Sequence, residues 1–199
     1  MAGNVRKDKQ GIKSQRVKSF FVEATKEIIL SEGVEHVSIR KVAERAGYTF
    51  TTIYNYFRDL NELLQETKKV MIQDVMVHMQ GVALHDKHDL EDIKALNHQY
   101  AQYYIQHPHV FTFFYSYRLQ PITCANEEPQ DFSGHYQQTY REFAARGVIK
   151  EEEVPVVAKT LIYTLHGLLA LYFSDNGMTA DSLYAELDRT IEYVLKGRP

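Results

Sequence analysis

The stretch SIRKVAERAGYTFTTIYNYF, Ser38 to Phe57, constrains this chain more than any other. Ile39, Val42, Ala43 and Ala46 recur at spacings of three and four, the period of a helix with one apolar face. Ser38 stands where a hydroxyl can accept from unpaired backbone N–H groups, and Gly47 where a left-handed residue ends a helix. Thr49 is a second N-cap candidate, and Ile53, Tyr54 and Phe57 form a short stripe after it. Two short helices joined by a three- or four-residue turn containing glycine make a helix-turn-helix, whose second helix lies in the DNA major groove. An ordinary helical hairpin has the same spacing, so spacing alone leaves both open.

The flanking residues fit a small three-helix core. A helix from Ser14 places Val17, Phe20, Phe21, Ala24 and Ile28 on one side and stops at Gly33. Residues 1–13, with Arg6, Lys7, Lys9 and Lys13, read as a mobile basic arm. Asp59 and Glu62 have the spacing of a capping box, which starts a fourth helix near Leu60 that runs to about Gln80. Charge divides at the same place. Residues 1–60 hold 11 Lys/Arg against 7 Asp/Glu, a net of +4, and residues 61–199 hold 12 against 19, a net of −7. A basic first third on an acidic body suits a polyanion met by the N-terminal part alone.

The rest reads as helices. Ile93, Leu96, Tyr100, Tyr103 and Tyr104 make one stripe, and Pro108 suits the first turn of the next helix, HVFTFFYSYRLQ, where a strand would have no partner. PITCANEEPQD is a loop, followed by a helix over about 132–146. Glu151, Glu152, Glu153 and Pro155 open a helix over 156–173 that is apolar almost all round, with Gly167 in its middle, where close approach of another backbone would suit it. A last helix shows Leu183, Leu187, Ile191 and Val194. These two can close the chain's own core or pair with a second copy.

With 44% hydrophobic and 25% charged residues, the 199-residue chain has the composition of a soluble globular protein of one large or two small domains. A lone cysteine, Cys124, excludes an internal disulfide, the N-terminus has no signal-like apolar segment, and the charge-free run Thr160–Ser174 is too short for a bilayer. The expectation is a cytoplasmic protein with no membrane association.

From Phe20 to Leu64, and above all in KVAERAGY, TIYNYF and NELL, the sequence resembles the TetR (tetracycline-repressor) family of bacterial transcriptional regulators. The resemblance implies an all-α fold of about nine helices. Residues 1–60 would be a three-helix helix-turn-helix DNA-binding domain with its basic arm, and residues 61–199 a helical effector-binding and dimerisation domain. The implied partners are a palindromic double-stranded DNA operator, a second copy joined through the last two helices (about 155–174 and 180–196), and a small-molecule inducer. By position, Arg40 matches a base- or phosphate-reaching residue. Thr49, Phe50, Thr51, Thr52, Asn55 and Tyr56 match the exposed recognition helix, and Tyr54 a phosphate-contacting tyrosine. The family's usual lysine at the start of the fourth helix is Leu60 here, and Arg58 is the nearby substitute. Hydroxyl and amide side chains on the second helix suit mixed phosphate and base contacts, and Phe50 suits a thymine methyl or packing against the protein itself.

Tyr100, Tyr103, Tyr104, Phe111, Phe114, Tyr115, Tyr136, Tyr140, Tyr163 and His166 are candidates to line a mostly apolar cavity, with Arg118 to meet an anionic group. Each taken alone is more at home in a plain core; together with the resemblance they suggest a hydrophobic or aromatic inducer. His85, Asp86, His88 and Asp89, and His107 and His109 about Pro108, read as polar inter-helix segments rather than metal ligands, and Cys124 as a free thiol. No Gly-rich phosphate loop, zinc spacing or serine elbow occurs, so neither cofactor nor metal is expected. An enzyme using the aromatic cavity and a DNA-binding dimer without an effector are the alternatives to a ligand-released repressor.

Overall fold

Side-chain caps open α2 and α4 in the computed structural model, which describes residues 2–80, 90–121 and 133–196. Among the described residues there are nine α-helices and no strand. They are α1 (Ala2–Glu32), α2 (Ile39–Ala46), α3 (Phe50–Ile53), α4 (Leu60–Gln80), α5 (Leu90–Gln106), α6 (Pro108–Phe111), α7 (Ser133–Ala145), α8 (Val154–Phe173) and α9 (Ala180–Lys196). GVALHDKHD, with the four histidines and aspartates considered above as ligands, and the loop bearing Cys124 lie outside the described residues.

The chain forms two compact units, Met1–Val75 with His109–Glu128, and Met76–Pro108 with Pro129–Pro199. The division between these units falls within the span of α4.

In the first unit, Phe21, Val22, Ala24, Ile28 and Ile29 of α1 are buried together with Val34, Val37, Val42, Ala43, Ile53, Phe57, Leu63 and Leu64. The Ser38 side chain accepts from the Lys41 N–H at 3.3 Å and opens α2. Gly47 closes it at φ 75°, a left-handed conformation that costs glycine little. The Asp59 carboxylate accepts from the Glu62 N–H at 2.8 Å and opens α4.

Three expectations change here. The basic arm is helix: α1 extends unbroken from Ala2, because a run of Arg, Lys and Gln is a good helix former even without an apolar stripe. Phe20 is 48% exposed, its ring stacked 6.4 Å from that of Tyr48. Thr49 occupies the N-cap position of α3 but caps no backbone group; its hydroxyl is shared with those of Thr51 and Thr52 at 2.9 and 2.8 Å.

The segment after Pro108 is helical as expected, but it changes pitch. A π-helix runs over Thr112–Ser116, and the chain is extended at Tyr117. Asn61 and Gln65 of α4 both donate to the Gln120 carbonyl at 3.0 Å, and the Gln120 N–H donates to Asn61 Oδ1 at 2.9 Å. Lys68 donates to the Phe114 carbonyl at 3.1 Å, and burial pulls its ammonium pKa down.

The second unit packs α5, α7, α8 and α9 together. Its core takes Ile93, Leu96 and Tyr100 from α5, Leu161, Leu165 and Leu169 from α8, and Leu183, Leu187 and Ile191 from α9. Lys94–Glu192 and His98–Asp188, each at 2.7 Å, pin α5 to α9. By length and composition alone the helical run Glu151–Phe173 could cross a membrane, but one side of it forms a wall of this unit's core through Leu161, Leu165 and Leu169. Among the described residues its covering is one-sided: Val156 and Tyr163 are exposed, and a Cβ added at Gly167 would meet nothing within 4 Å.

Candidate nucleic-acid interface

The exposed polar surface of the first unit begins with a rigid support. Phe21 lies 5.1 Å from the ring of Tyr48, 5.8 Å from that of Tyr56 and 6.5 Å from that of Phe57, so one α1 side chain anchors both the turn and the end of α3. Ile53 and Phe57 are buried beside it. With those sides of α3 committed inward, Thr49, Phe50, Thr51, Tyr54 and Asn55 are left exposed, Phe50 by 49% and Tyr54 by 54%. Thr52 is half-buried. Tyr56, expected on the exposed face, is also half-buried, because its ring packs on Phe21. The α-helical part of α3 is only four residues, and the turn after it continues through Tyr56 N–H to Ile53 carbonyl at 2.9 Å.

Electrostatics sorts the nearby cations. Lys41 pairs with Glu32, and Arg45 with Glu27 and Glu32 at 3.6 and 3.5 Å, so these two clamp α2 to α1. Lys41 in turn holds the Glu32 carboxyl below its ordinary range. Lys18 pairs with Glu66 at 3.6 Å and lies over the Phe57 ring. Arg58 is exposed and bonds Glu62 through Nε at 3.0 Å, while its backbone N–H donates to the same carboxylate at 2.7 Å. That backbone donor, ahead of the guanidinium, lowers the Glu62 pKa. Lys13, Arg16, Arg40 and Arg118 have no carboxylate within 4 Å among the described residues. Arg40 instead lies over the Phe50 ring at 5.9 Å, which couples α2 to the exposed start of α3.

The eleven residues expected around a ligand divide between the units. Phe111, Phe114, Tyr115 and Arg118 belong to the first, with Phe111 and Phe114 buried and Tyr115 and Arg118 exposed. In the second, Tyr100, Tyr104, Tyr136, Tyr140 and His166 come together. The Tyr136 hydroxyl donates to Asn97 Oδ1, Asn97 Nδ2 donates to Tyr140 Oη at 2.9 Å, and Tyr100 Oη lies 3.3 Å from His166 Nε2 and 3.4 Å from Tyr104 Oη. Burial pushes the Tyr140 hydroxyl to about 12 and Tyr136 well above its ordinary value. Burial also pulls His166 down to about 4, so the ring is neutral at pH 7.

Tyr103 is half-buried, its ring 4.8 Å from that of His107 and 5.1 Å from that of His78. Tyr163 lies outside the cluster, 67% exposed, beside a shallow cleft of about 20 Å3 lined by Tyr136, Gln137, Ala158, Lys159 and Ile162. Asn97 joins the cluster without standing among the sequence candidates; a polar residue inside the stripe Ile93–Leu96–Tyr100 is the signal that points to it. Gln120 carries no such signal. Among the described residues no group of three or more His, Cys, Asp or Glu side chains is placed to hold a metal.

Residues 21–67 match the family model for bacterial regulatory proteins of the tetR family. Comparison with curated proteins gives no match. The solved structure of RolR in complex with resorcinol is similar over 94% of this chain and 96% of its own, at 17% identity and a TM-score of 0.65. A TetR transcriptional regulator from Rhodococcus sp. RHA1 covers 94% and 99% at 16% identity and a TM-score of 0.64. NalD of Pseudomonas aeruginosa, the secondary repressor of the MexAB-OprM multidrug efflux pump, covers 89% and 96% at 17% and 0.57.

Proposed function

We propose that this chain, with a tetR-type DNA-binding domain and the fold of TetR-family transcriptional regulators, is a repressor released from a palindromic operator by a hydrophobic or aromatic small molecule. It acts in the cytoplasm by binding and not by catalysis. The observation that carries the DNA-binding part is the display of Thr51, Tyr54 and Asn55 on α3 and the turn after it, a segment whose other side is buried through Ile53 and Phe57 and by packing of Phe21 on Tyr56 and Phe57. Hydroxyls and an amide held on a short rigid helix suit phosphate and base-edge contacts. Arg40 and Phe50, stacked together, add a cation and an apolar edge at the start of that helix.

Two copies would be joined through α8 and α9. Val156, Tyr163, Gly167 and Leu171 fall on one face of α8, and no described residue covers this face. Tyr193 of α9 is 77% exposed as well. For the inducer, the support is the tyrosine cluster, rich in buried hydroxyls, and the fold shared with a protein that binds resorcinol. A ligand moves the equilibrium between operator-competent and released arrangements only by its differential affinity for the two. The effector-independent dimer has one observation in its favour: Asn97, Tyr136 and Tyr140 already satisfy one another.

Selection from random duplexes followed by gel shifts tests the reading. Tyr54→Phe and Arg58→Ala should weaken binding to all duplexes alike, whereas Thr51→Ala and Asn55→Ala should change the preferred bases by about 1–3 kcal/mol per contact. Four unchanged variants would refute the assignment. A thermal-shift panel of phenols and other aromatics separates the ligand-released repressor, which is stabilised and leaves DNA, from the effector-independent dimer, which does neither.

A further inference from the structure

We infer that Arg40 and Phe50 act as one specificity-determining pair: Phe50 seats on a thymine methyl and holds Arg40 against O6 and N7 of a neighbouring guanine. This rests on the DNA-binding reading above and adds to it the bases by which the operator is chosen. Its starting point is the division of roles among the cations of α2. Lys41 pairs with Glu32, and Arg45 with Glu27 and Glu32, so both fasten α2 to α1. Arg40 is exposed, and no carboxylate lies within 4 Å of it among the described residues. It also stands in the first turn of α2, where the helix dipole disfavours a cation. Neither the packing of this unit nor the stability of its helix accounts for a charge at that place.

The contact Arg40 does make is with Phe50. Its guanidinium carbon lies over the Phe50 ring, 5.9 Å from the centroid, and so joins α2 to the first residue of α3. Phe50 is 49% exposed and stays outside the ring contacts that Phe21 makes with Tyr48, Tyr56 and Phe57, so it is not a core residue. An apolar ring left half in water with a cation resting on it has two consequences. The long Arg40 side chain is held near one position before DNA arrives, which lowers the entropy lost on binding. A guanidinium packed on a ring also keeps the N–H donors around its edge available for two parallel bonds.

The pair decides between the two things an exposed arginine can meet in a duplex. A phosphate would satisfy the charge but leave Phe50 beside a hydrated anion, with no apolar surface to cover. The floor of the major groove offers both partners, two acceptors on guanine and the methyl of thymine. The guanidinium and the ring centre are 5.9 Å apart, and successive bases of a strand are about 3.4 Å apart along the duplex, so the two side chains fall on neighbouring base pairs.

The test takes the duplex selected by the full-chain parent protein and scans atom-sized changes across every guanine and thymine in it. Replacing guanine by 7-deazaguanine removes one acceptor, and replacing thymine by uracil removes the methyl alone. At one adjoining guanine and thymine, the first change should weaken the parent protein about ten-fold and the second about four-fold. Phe50→Leu keeps an apolar contact without a flat face, so the uracil penalty should persist while the 7-deazaguanine penalty shrinks about two- to five-fold. Arg40→Lys keeps the charge without the fork, so the salt dependence should be unchanged while the preference for guanine over adenine falls about ten-fold. Melting temperatures matching the parent show that each variant is folded. An Arg40→Lys protein with the parent's base preference would put Arg40 on a phosphate and overturn the pair. A 7-deazaguanine penalty unchanged in Phe50→Leu, or a selected duplex with no guanine beside a thymine, overturns it as well and leaves α3 as the reader. A parent protein that enriches no duplex removes the DNA-binding reading itself, and the pair with it.

Discussion

The surface of α3 and the tyrosine cluster of the second unit are built from the same chemistry, hydroxyls and amides, and dispose of it in opposite ways. On α3 and the turn that follows it, Thr51, Tyr54 and Asn55 are exposed, and their positions are set by apolar neighbours one turn away. In the cluster, Asn97, Tyr136 and Tyr140 are buried, and each is held by polar partners from another helix. An exposed hydroxyl has water as its alternative partner and is free to exchange it for DNA. A buried one has only its protein partner, so the same group becomes a condition of folding.

The sharpest way to break that comparison is Asn97→Leu. It leaves the Tyr136 and Tyr140 hydroxyls without the amide they share and removes the Nδ2 bond to the Ile93 carbonyl at 2.7 Å. The expected loss is about 3–4 kcal/mol, read from urea denaturation, against less than about 0.5 kcal/mol for Asn55→Leu on α3. Equal losses would mean the network contributes no more than the exposed surface.

His166 sharpens it through pH. Its folded pKa, about 4, lies below the ordinary 6.5, so the native state binds fewer protons than the unfolded chain between those values. Stability is therefore flat above about pH 6.5 and falls as pH drops to about 4, by at most about 3 kcal/mol. His166→Gln, which keeps a neutral partner near Tyr100 Oη, should remove that part of the acid sensitivity. A parent and variant with parallel stability curves over this window would place the histidine in water.

These contrasts also explain what the sequence can and cannot disclose. Ser38, Gly47 and the Asp59–Glu62 pair act within four residues of themselves, and each is legible as a cap. The family pattern from Phe20 to Leu64 locates the exposed residues of α3 because their setting is equally local. Asn97 and Tyr136 are 39 residues apart, and Asn61 and Gln120 are 59 apart, so no spacing rule reaches them. Tyr56 and Phe20 sit on plausible faces by period alone, and only the packing of Phe21 decides which of them turns inward. The helical start of α1 escapes a search for apolar stripes, because Lys, Arg and Gln sustain a helix without one.

The smallest effect separates two caps that the sequence presents as equivalent. Ser38 accepts a backbone N–H from Lys41, and Ser38→Ala should cost about 1 kcal/mol as that donor loses its partner. Thr49 stands in the same position before α3, but its hydroxyl reaches only the Thr51 and Thr52 hydroxyls. Thr49→Ala should therefore change stability by no more than about 0.5 kcal/mol. Its effect belongs instead to operator binding, because freeing the Thr51 hydroxyl alters what that side chain offers a base. Guanidinium melts of the two variants, with gel shifts alongside, would show one loss in stability and the other in recognition. A stability cost at Thr49 matching that at Ser38 would mean α3 is capped after all, and that its threonines are committed to the fold before DNA arrives.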